Sequence, residues 1–314
     1  MEVLDRGGAE WAPGLPPTMR RRRPDLFPYF LALPSILVLV TFISYPVLFS
    51  MGISFFDYTF LRLSRPFVAL ANYARILGEG RFLSSFLLSL RWTATNLILM
   101  SVLGFVAALL LRIRFAGSSV LKVVLLVPWV LPQIVTGFIW GLMLTQDIGI
   151  INSALHALGL VPRDFSWFQT GPMALRAVVI ANTWRGFPFF ALMLYAKLQT
   201  IPKELLEAAS IDGANSMQVF RHIMMHFLTP VYQVCLVLGF LWTFNAYDII
   251  AVMTNGGPLD QTLTLPLLVQ REAFQYLQIS RASTMSVMMF VAVAAMGLTV
   301  LGASALYRRY ADRA

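Results

Sequence analysis

Charge is scarce in this chain. Asp, Glu, Lys and Arg make up only 12% of its 314 residues, about half the roughly 25% usual in soluble domains. With a mean hydropathy of +0.72, a hydrated globular fold is excluded and a membrane protein is indicated. Cysteine is nearly absent too: Cys235 stands alone inside an apolar run, which rules out an intramolecular disulfide framework or a cysteine-rich metal site. A Gly-rich loop closing in Gly-Lys-Ser/Thr is missing, so the chain does not hydrolyse ATP through a phosphate-cradling loop. Histidine is sparse. His222 and His226 stand four apart, the spacing that sets two imidazoles on one helix face for zinc. A zinc protease needs a Glu directly after the first His, and Ile223 takes that place, so the proton acceptor is lacking. His156 is expected on the opposite side of the membrane and supplies no third ligand. An intramembrane zinc protease is set aside on these grounds, no metal is expected, and a membrane scaffold remains as a distant alternative.

What is present in quantity is long apolar sequence. A span needs about 20 apolar residues to cross roughly 30 Å of hydrocarbon, and six stretches qualify, near 28–54, 86–111, 119–145, 172–198, 228–253 and 283–307. The first and fifth are long enough to tilt or break. The formal net charge of +9 could point to nucleic acid, but the basic residues gather at segment ends, as membrane topology requires. Arg20 to Arg23 precede the first stretch, Arg112 and Arg114 sit in the second connection, and Arg308, Arg309 and Arg313 follow the last. By the positive-inside rule these share the cytoplasm, and an even number of crossings puts both termini there. Arg62, Arg65, Arg75 and Arg81 fall on the other side in a longer loop, where the rule is weaker. The first stretch outruns a signal-peptide core and shows no small-residue cleavage pattern, so it reads as an uncleaved anchor. Residues 1–27 read as a cytoplasmic tail, 28–307 as the transmembrane domain and 308–314 as a basic cytoplasmic tail.

One polar insert interrupts the apolar sequence: IPKELLEAASIDGANSMQVFRH, residues 201–222. The topology places it in the cytoplasm. Pro202 suits the first turn of a helix, Lys203 to Asp212 are good helix formers, and Gly213 can take the left-handed conformation that stops a helix. Asn215 or Ser216 can cap a second helix, on which Met217, Phe220, Arg221 and Met224 recur at amphipathic spacing. Two short helices joined at a Gly are predicted. They fit either an interfacial connector with Met217, Phe220 and Met224 in lipid, or a docking surface in which Ala208 and Ala209 permit close approach beside Glu207.

The run EAASIDGA resembles the cytoplasmic signature of the membrane subunits of ATP-binding-cassette importers. Glu207, Ala208, Ala209 and Gly213 match it and Ile223 falls at the right distance, whereas Met225 and His226 stand where Leu and Pro are usual; Pro230 fits a further Pro of the sugar-transporting branch. A second segment, YDIIAVMTNGGPLDQT, is similar to the Thr-x-Gly-Gly-Pro turn of one membrane subunit of carbohydrate importers of the maltose and glycerol-phosphate type. The resemblance runs from about residue 28 to 307. It implies an all-α, polytopic type I importer permease of six transmembrane helices, in the plasma membrane of a prokaryote. Its coupling loop (about 200–226) would dock into the ATPase through Glu207, Ala208, Ala209, Asp212 and Gly213. The implied partners are a second homologous permease subunit, two ATP-binding-cassette subunits and an extracytoplasmic solute-binding protein. ATP and Mg2+ would be held by the ATPase and no cofactor by this chain.

A transported sugar needs a polar site at membrane depth, where such residues are costly unless they face a cavity or a partner. Two clusters combine rings that stack on sugar C–H faces with amides that bond hydroxyls. They are ANTWRGFPFF (Asn182, Trp184, Arg185, Gly186, Pro188, Phe189) and FLWTFNAYDII (Trp242, Phe244, Asn245, Tyr247, Asp248). Helix packing and interfacial aromatic belts compete for the same residues. The resemblance to the maltose-type site implies substrate contacts from Asn182, Gly186, Phe244 and Asn245, with Phe189 in place of a Tyr; Arg185 and Tyr247 complete the candidate set. Arg185 stands where the maltose transporter has an apolar residue and would tolerate an anionic group such as a phosphate ester. A di- or oligosaccharide is the expected cargo, and glycerol phosphate or another polyol the alternative.

Overall fold

The computed structural model describes residues 27–59, 65–113 and 117–311. The N-terminal tail with Arg20 to Arg23, and Arg62, Arg114 and Arg313, lie outside the described residues. Residues to Phe49 form one compact unit and Ser50–Ala314 another. In the first, α1 (Phe27–Leu39) passes through a π-helical turn (Val40–Ser44) into α2 (Tyr45–Ile53). The turn sits just ahead of Pro46, which has no N–H for the Phe42 carbonyl four residues back; Tyr45 N–H reaches five residues back to the Val40 carbonyl, the π-helical pattern. Phe30–Ile53 is long and apolar enough to cross a membrane.

The second unit is built on α4 (Gly80–Arg112) and α8 (Gly171–Leu198), with α3 (Ala71–Gly78) before them and α5 (Ser118–Val130), α6 (Gln133–Met143) and α7 (Ile150–Ala157) between. Lipid offers apolar side chains no reason to leave it, so paired spans rely on close approach and hydrogen bonds. Both occur here. A Cβ on Gly104 would fall 2.5 Å from the Phe190 Cβ, so Gly is required where α4 meets α8. Asn96 Oδ1 accepts from Asn182 Nδ2 at 2.8 Å and Thr183 Oγ1 at 3.2 Å, and Trp92 Nε1 donates to the Thr243 carbonyl at 2.9 Å.

The two helices run parallel, and separate clusters mark their ends. Ala108, Leu194 and Leu198 near the C-termini pack with Ile201, Leu206, Phe220 and Met224 of the polar insert. Phe82 and Val178 nearer the N-termini pack with Ile249, Leu263 and Leu265 of the 248–268 region. The insert and the Gly-Gly-Pro turn therefore lie at opposite ends of the bundle.

Beyond the insert's α9 (Lys203–Ile211) and α10 (Ser216–Gln218), the chain forms α11 (Met225–Phe244), α12 (Asp248–Met253), α13 (Leu265–Gln270) and α14 (Ile279–Ala311). Among the described residues, five helices are long and apolar enough to span, or six if a bent pair counts as one. That pair corrects the expected single helix at 119–145: α5 and α6 meet at 100°. Leu131, before Pro132, is extended at ψ 135°, since a residue preceding proline avoids the helical region. The fifth stretch also breaks, at Asn245, whose Nδ2 takes up the Leu241 carbonyl at 2.8 Å. The sixth helix continues past the expected boundary at 307 to Ala311.

Candidate functional site

Two regions carry the candidate residues. In the polar insert, α9 follows Pro202 and ends at Gly213, which takes φ +76° as expected. Gly213 N–H bonds the Ser210 carbonyl at 3.1 Å and Ala214 N–H the Ala209 carbonyl at 2.9 Å. Asn215 then forms a reciprocal cap with Gln218: its Oδ1 accepts from Gln218 N–H at 2.9 Å while its own N–H reaches Gln218 Oε1 at 2.8 Å. The expected second short helix does not end within the insert. Residues Ser216–Phe244 run on through a π-helical turn (Val219–Met224) as one span.

Glu207, Ala208, Asp212 and Gly213 are exposed and Ala209 is half-buried. Leu206, on the inner side, holds α9 to the cluster beneath. Phe220 packs on Phe105 with ring centroids 5.3 Å apart and Met224 is buried, so these two side chains turn into the protein rather than into lipid. Met217 alone of the three is exposed. The exposed surface of α9 carries Ala208 and Ser210 beside Glu204 and Glu207, with Leu205 and Ile211 also exposed.

The second region is a cavity of about 520 Å³ lined by Trp129, Gln133, Arg185, Leu241, Trp242 and Asn245. It opens where three irregularities meet: the α5–α6 break, the middle of α8 and the C-terminal end of α11. Arg185 Nε donates to the Leu131 carbonyl at 2.9 Å, satisfying an acceptor that the break leaves outside any helix. Phe189 lies 5.0 Å from Trp242 and 5.8 Å from Trp129, centroid to centroid. A narrow extension of about 30 Å³ continues past Asn182, Gly186 and Phe189.

The structure thus brings Arg185 and Asn245 to the cavity and Asn182, Gly186 and Phe189 to its extension. Asn182 is only 3% exposed, with its amide N–H engaged by Asn96; Gly186 abuts Met100, whose Cε would lie 2.2 Å from an added Cβ. Phe244 and Tyr247 are not brought there. Phe244 is 1% exposed, its ring against Phe240 and Phe86 at 5.4 and 6.5 Å, and Tyr247 packs on the core cluster of the Gly-Gly-Pro end. Sequence reasoning missed Trp129 and Gln133. The available signal was PWVLPQ (Pro128 to Gln133), two prolines in an apolar run.

At the Gly-Gly-Pro end, Gly256 has φ +80° and Thr262 Oγ1 donates to the Gly257 carbonyl at 2.8 Å. Asp260 pairs with Arg81 at 2.9 Å and Arg271 at 2.7 Å, and Arg271 also bonds the Asn255 carbonyl. Burial works against the Asp260 carboxylate, but the two guanidinium hydrogen bonds outweigh it and hold the group below its ordinary range. Hydrogen bonds from Arg281 likewise depress Glu79.

Residues 100–314 match the family described as binding-protein-dependent transport system inner membrane component. The chain belongs to that family. As such an inner membrane component it is a multi-pass transport subunit. It is 37% identical over 269 residues to the trehalose/maltose transport system permease protein MalF of Thermococcus litoralis, covering 84% of this chain and 89% of that one. It is 29% identical over 277 residues to the sn-glycerol-3-phosphate transport system permease protein UgpA of Yersinia pestis, covering 87% and 92%. A chain of the bacterial alginate ABC transporter, solved in complex with an alginate pentasaccharide-bound periplasmic protein, shares the fold. It superposes with a TM-score of 0.76 at 16% identity, over 88% of this chain and 93% of that chain.

Proposed function

We propose that the chain forms half of the translocation pathway of an ATP-binding-cassette importer for a di- or oligosaccharide. The observation that carries this is the cavity, where indole and phenyl rings stand beside the Gln133 and Asn245 amides. Rings cover sugar C–H faces and amides both donate to and accept from hydroxyls. The MalF relative supports the same cargo class. A phosphorylated polyol is the second reading, favoured by the Arg185 guanidinium on the cavity wall and by the UgpA relative. Thermal shift of the cognate solute-binding protein separates them: a neutral di- or oligosaccharide is expected to stabilise it. Stabilisation by glycerol phosphate alone would favour the second reading, and by neither would overturn both.

The working complex contains a second homologous membrane subunit, two cytoplasmic ATPases holding ATP and Mg2+, and an extracytoplasmic binding protein. Nucleic acid has no part, and lipid surrounds the spans. Closure of the ATPases would move α9, and through Leu206 and Phe220 the inner ends of α4, α8 and α11, so that the cavity alternates between faces. Both termini and the insert would face the cytoplasm and the Gly-Gly-Pro turn the outside. Cysteine introduced at Gln261 should then react with an impermeant thiol reagent in right-side-out vesicles while cysteine at Ser210 does not. Native Cys235 is buried and leaves the background clean. Equal labelling would contradict this orientation.

A further inference from the structure

The middle of α8 grips the broken third crossing on both arms and at the corner. Trp184 meets Trp140 of α6 edge to face at 5.8 Å, Phe189 stacks on Trp129 of α5 at 5.8 Å and 24°, and between them Arg185 Nε donates to the Leu131 carbonyl at 2.9 Å. A ring holds each arm. The corner depends on the hydrogen bond.

The corner is also where holding is needed most. Pro132 has no N–H, Leu131 is extended, and the 100° bend leaves the Leu131 carbonyl without a helical donor, a costly state inside a span. Trp129 and Gln133 stand on either side of Leu131 and both line the cavity. A swing of the corner would displace both together, and a recognition site whose supporting bonds are lost loosens. Arg185 itself is half-buried, and Asp248 offsets part of its charge from beyond ion-pair distance. An anionic cargo is not required to balance it.

We propose that Arg185 is a positioning residue: its Nε pins the α5–α6 corner to α8 and so keeps Trp129 and Gln133 where the cavity receives a neutral sugar. This rests on the reading of the cavity as the sugar site and adds what holds that site in shape. The bond uses the guanidinium nitrogen that other side chains imitate to different degrees. Gln places an amide N–H at the same point along the side chain, Lys carries its nitrogen one bond further out, and Met has comparable length without a donor. Donor and charge are therefore separable.

The test uses the complete complex in proteoliposomes, with ATP inside and sugar-loaded binding protein outside, and compares sugar uptake with stimulated ATPase activity per assembled complex. Arg185→Met should lower uptake about tenfold while stimulated ATPase activity stays near wild type, since the loaded binding protein still docks. A merely structural lesion would lower both in proportion. Arg185→Gln, with the donor but not the charge, should stay within about threefold of wild-type uptake, and Arg185→Lys should fall nearer to Arg185→Met. Equal loss in Arg185→Met and Arg185→Gln with Arg185→Lys near wild type would overturn the pin and make the charge a cargo contact. Normal uptake in Arg185→Met would overturn it as well, as would failure of that variant alone to assemble, which would assign the donor to folding. Wild-type complex that carries glycerol phosphate and no sugar would overturn the sugar reading and this role with it.

Discussion

Glu207→Lys and Gly213→Pro each bring ATP-driven uptake down to the level of vesicles without the complex, while the chain still accumulates in the membrane. Glu207 is exposed and has no partner within the described residues, so reversing its charge costs this subunit nothing and acts only on what docks there. Gly213 is the hinge between α9 and the fifth crossing. Its φ of +76° is closed to proline, which is fixed near −65°, and its N–H bonds the Ser210 carbonyl, a donor that proline lacks. Gly213→Ala is the graded control: a Cβ there meets nothing within 4 Å, so only the left-handed backbone resists, at about 1–2 kcal/mol, and partial activity should survive. Both effects are read by comparing uptake and stimulated ATPase activity with the amount of assembled complex. Wild-type uptake in Glu207→Lys and Gly213→Pro would remove the insert from coupling.

The crossings were legible because length and hydropathy alone decide them, and the insert because its punctuation is local. Pro202, Gly213 and Asn215 act within a few residues of themselves: Gly213 takes the left-handed conformation and Asn215 caps the next helix as expected, while Pro202 stands just ahead of α9 rather than in its first turn. Facing was far less legible. A helix apolar all round carries no stripe to say which side meets protein and which meets lipid, so Phe244, a candidate for stacking on sugar, turns instead toward Phe86. Asn182 was ambiguous for the same reason: an amide in a span either meets cargo or holds another helix, and its N–H holds Asn96. The break in the third crossing was the costliest omission, since it supplies Trp129 and Gln133 and gives Arg185 a carbonyl to hold. Hydropathy runs straight through Leu131 and Pro132; only the pre-proline backbone constraint marks the bend.

Asn245 decides whether the cavity beside that break receives the cargo. It is exposed at the end of α11, with Nδ2 on the Leu241 carbonyl and Oδ1 making no bond among the described residues. A sugar hydroxyl donating to that oxygen would lose its partner in Asn245→Ala, at about 1–3 kcal/mol, or roughly ten- to a hundredfold in affinity. Trp242→Ala should act in the same direction by removing a stacking face. Phe244→Ala is the contrast: its ring is buried in packing, so that variant should weaken assembly before it weakens recognition. The deciding experiment is sugar uptake by proteoliposomes containing purified complex, with subunit content and basal ATPase activity measured on the same preparation. Asn245→Ala is expected to lower uptake about ten- to a hundredfold with both of those unchanged; normal uptake, or loss of subunits from the complex, would contradict the assignment of the cavity to the sugar.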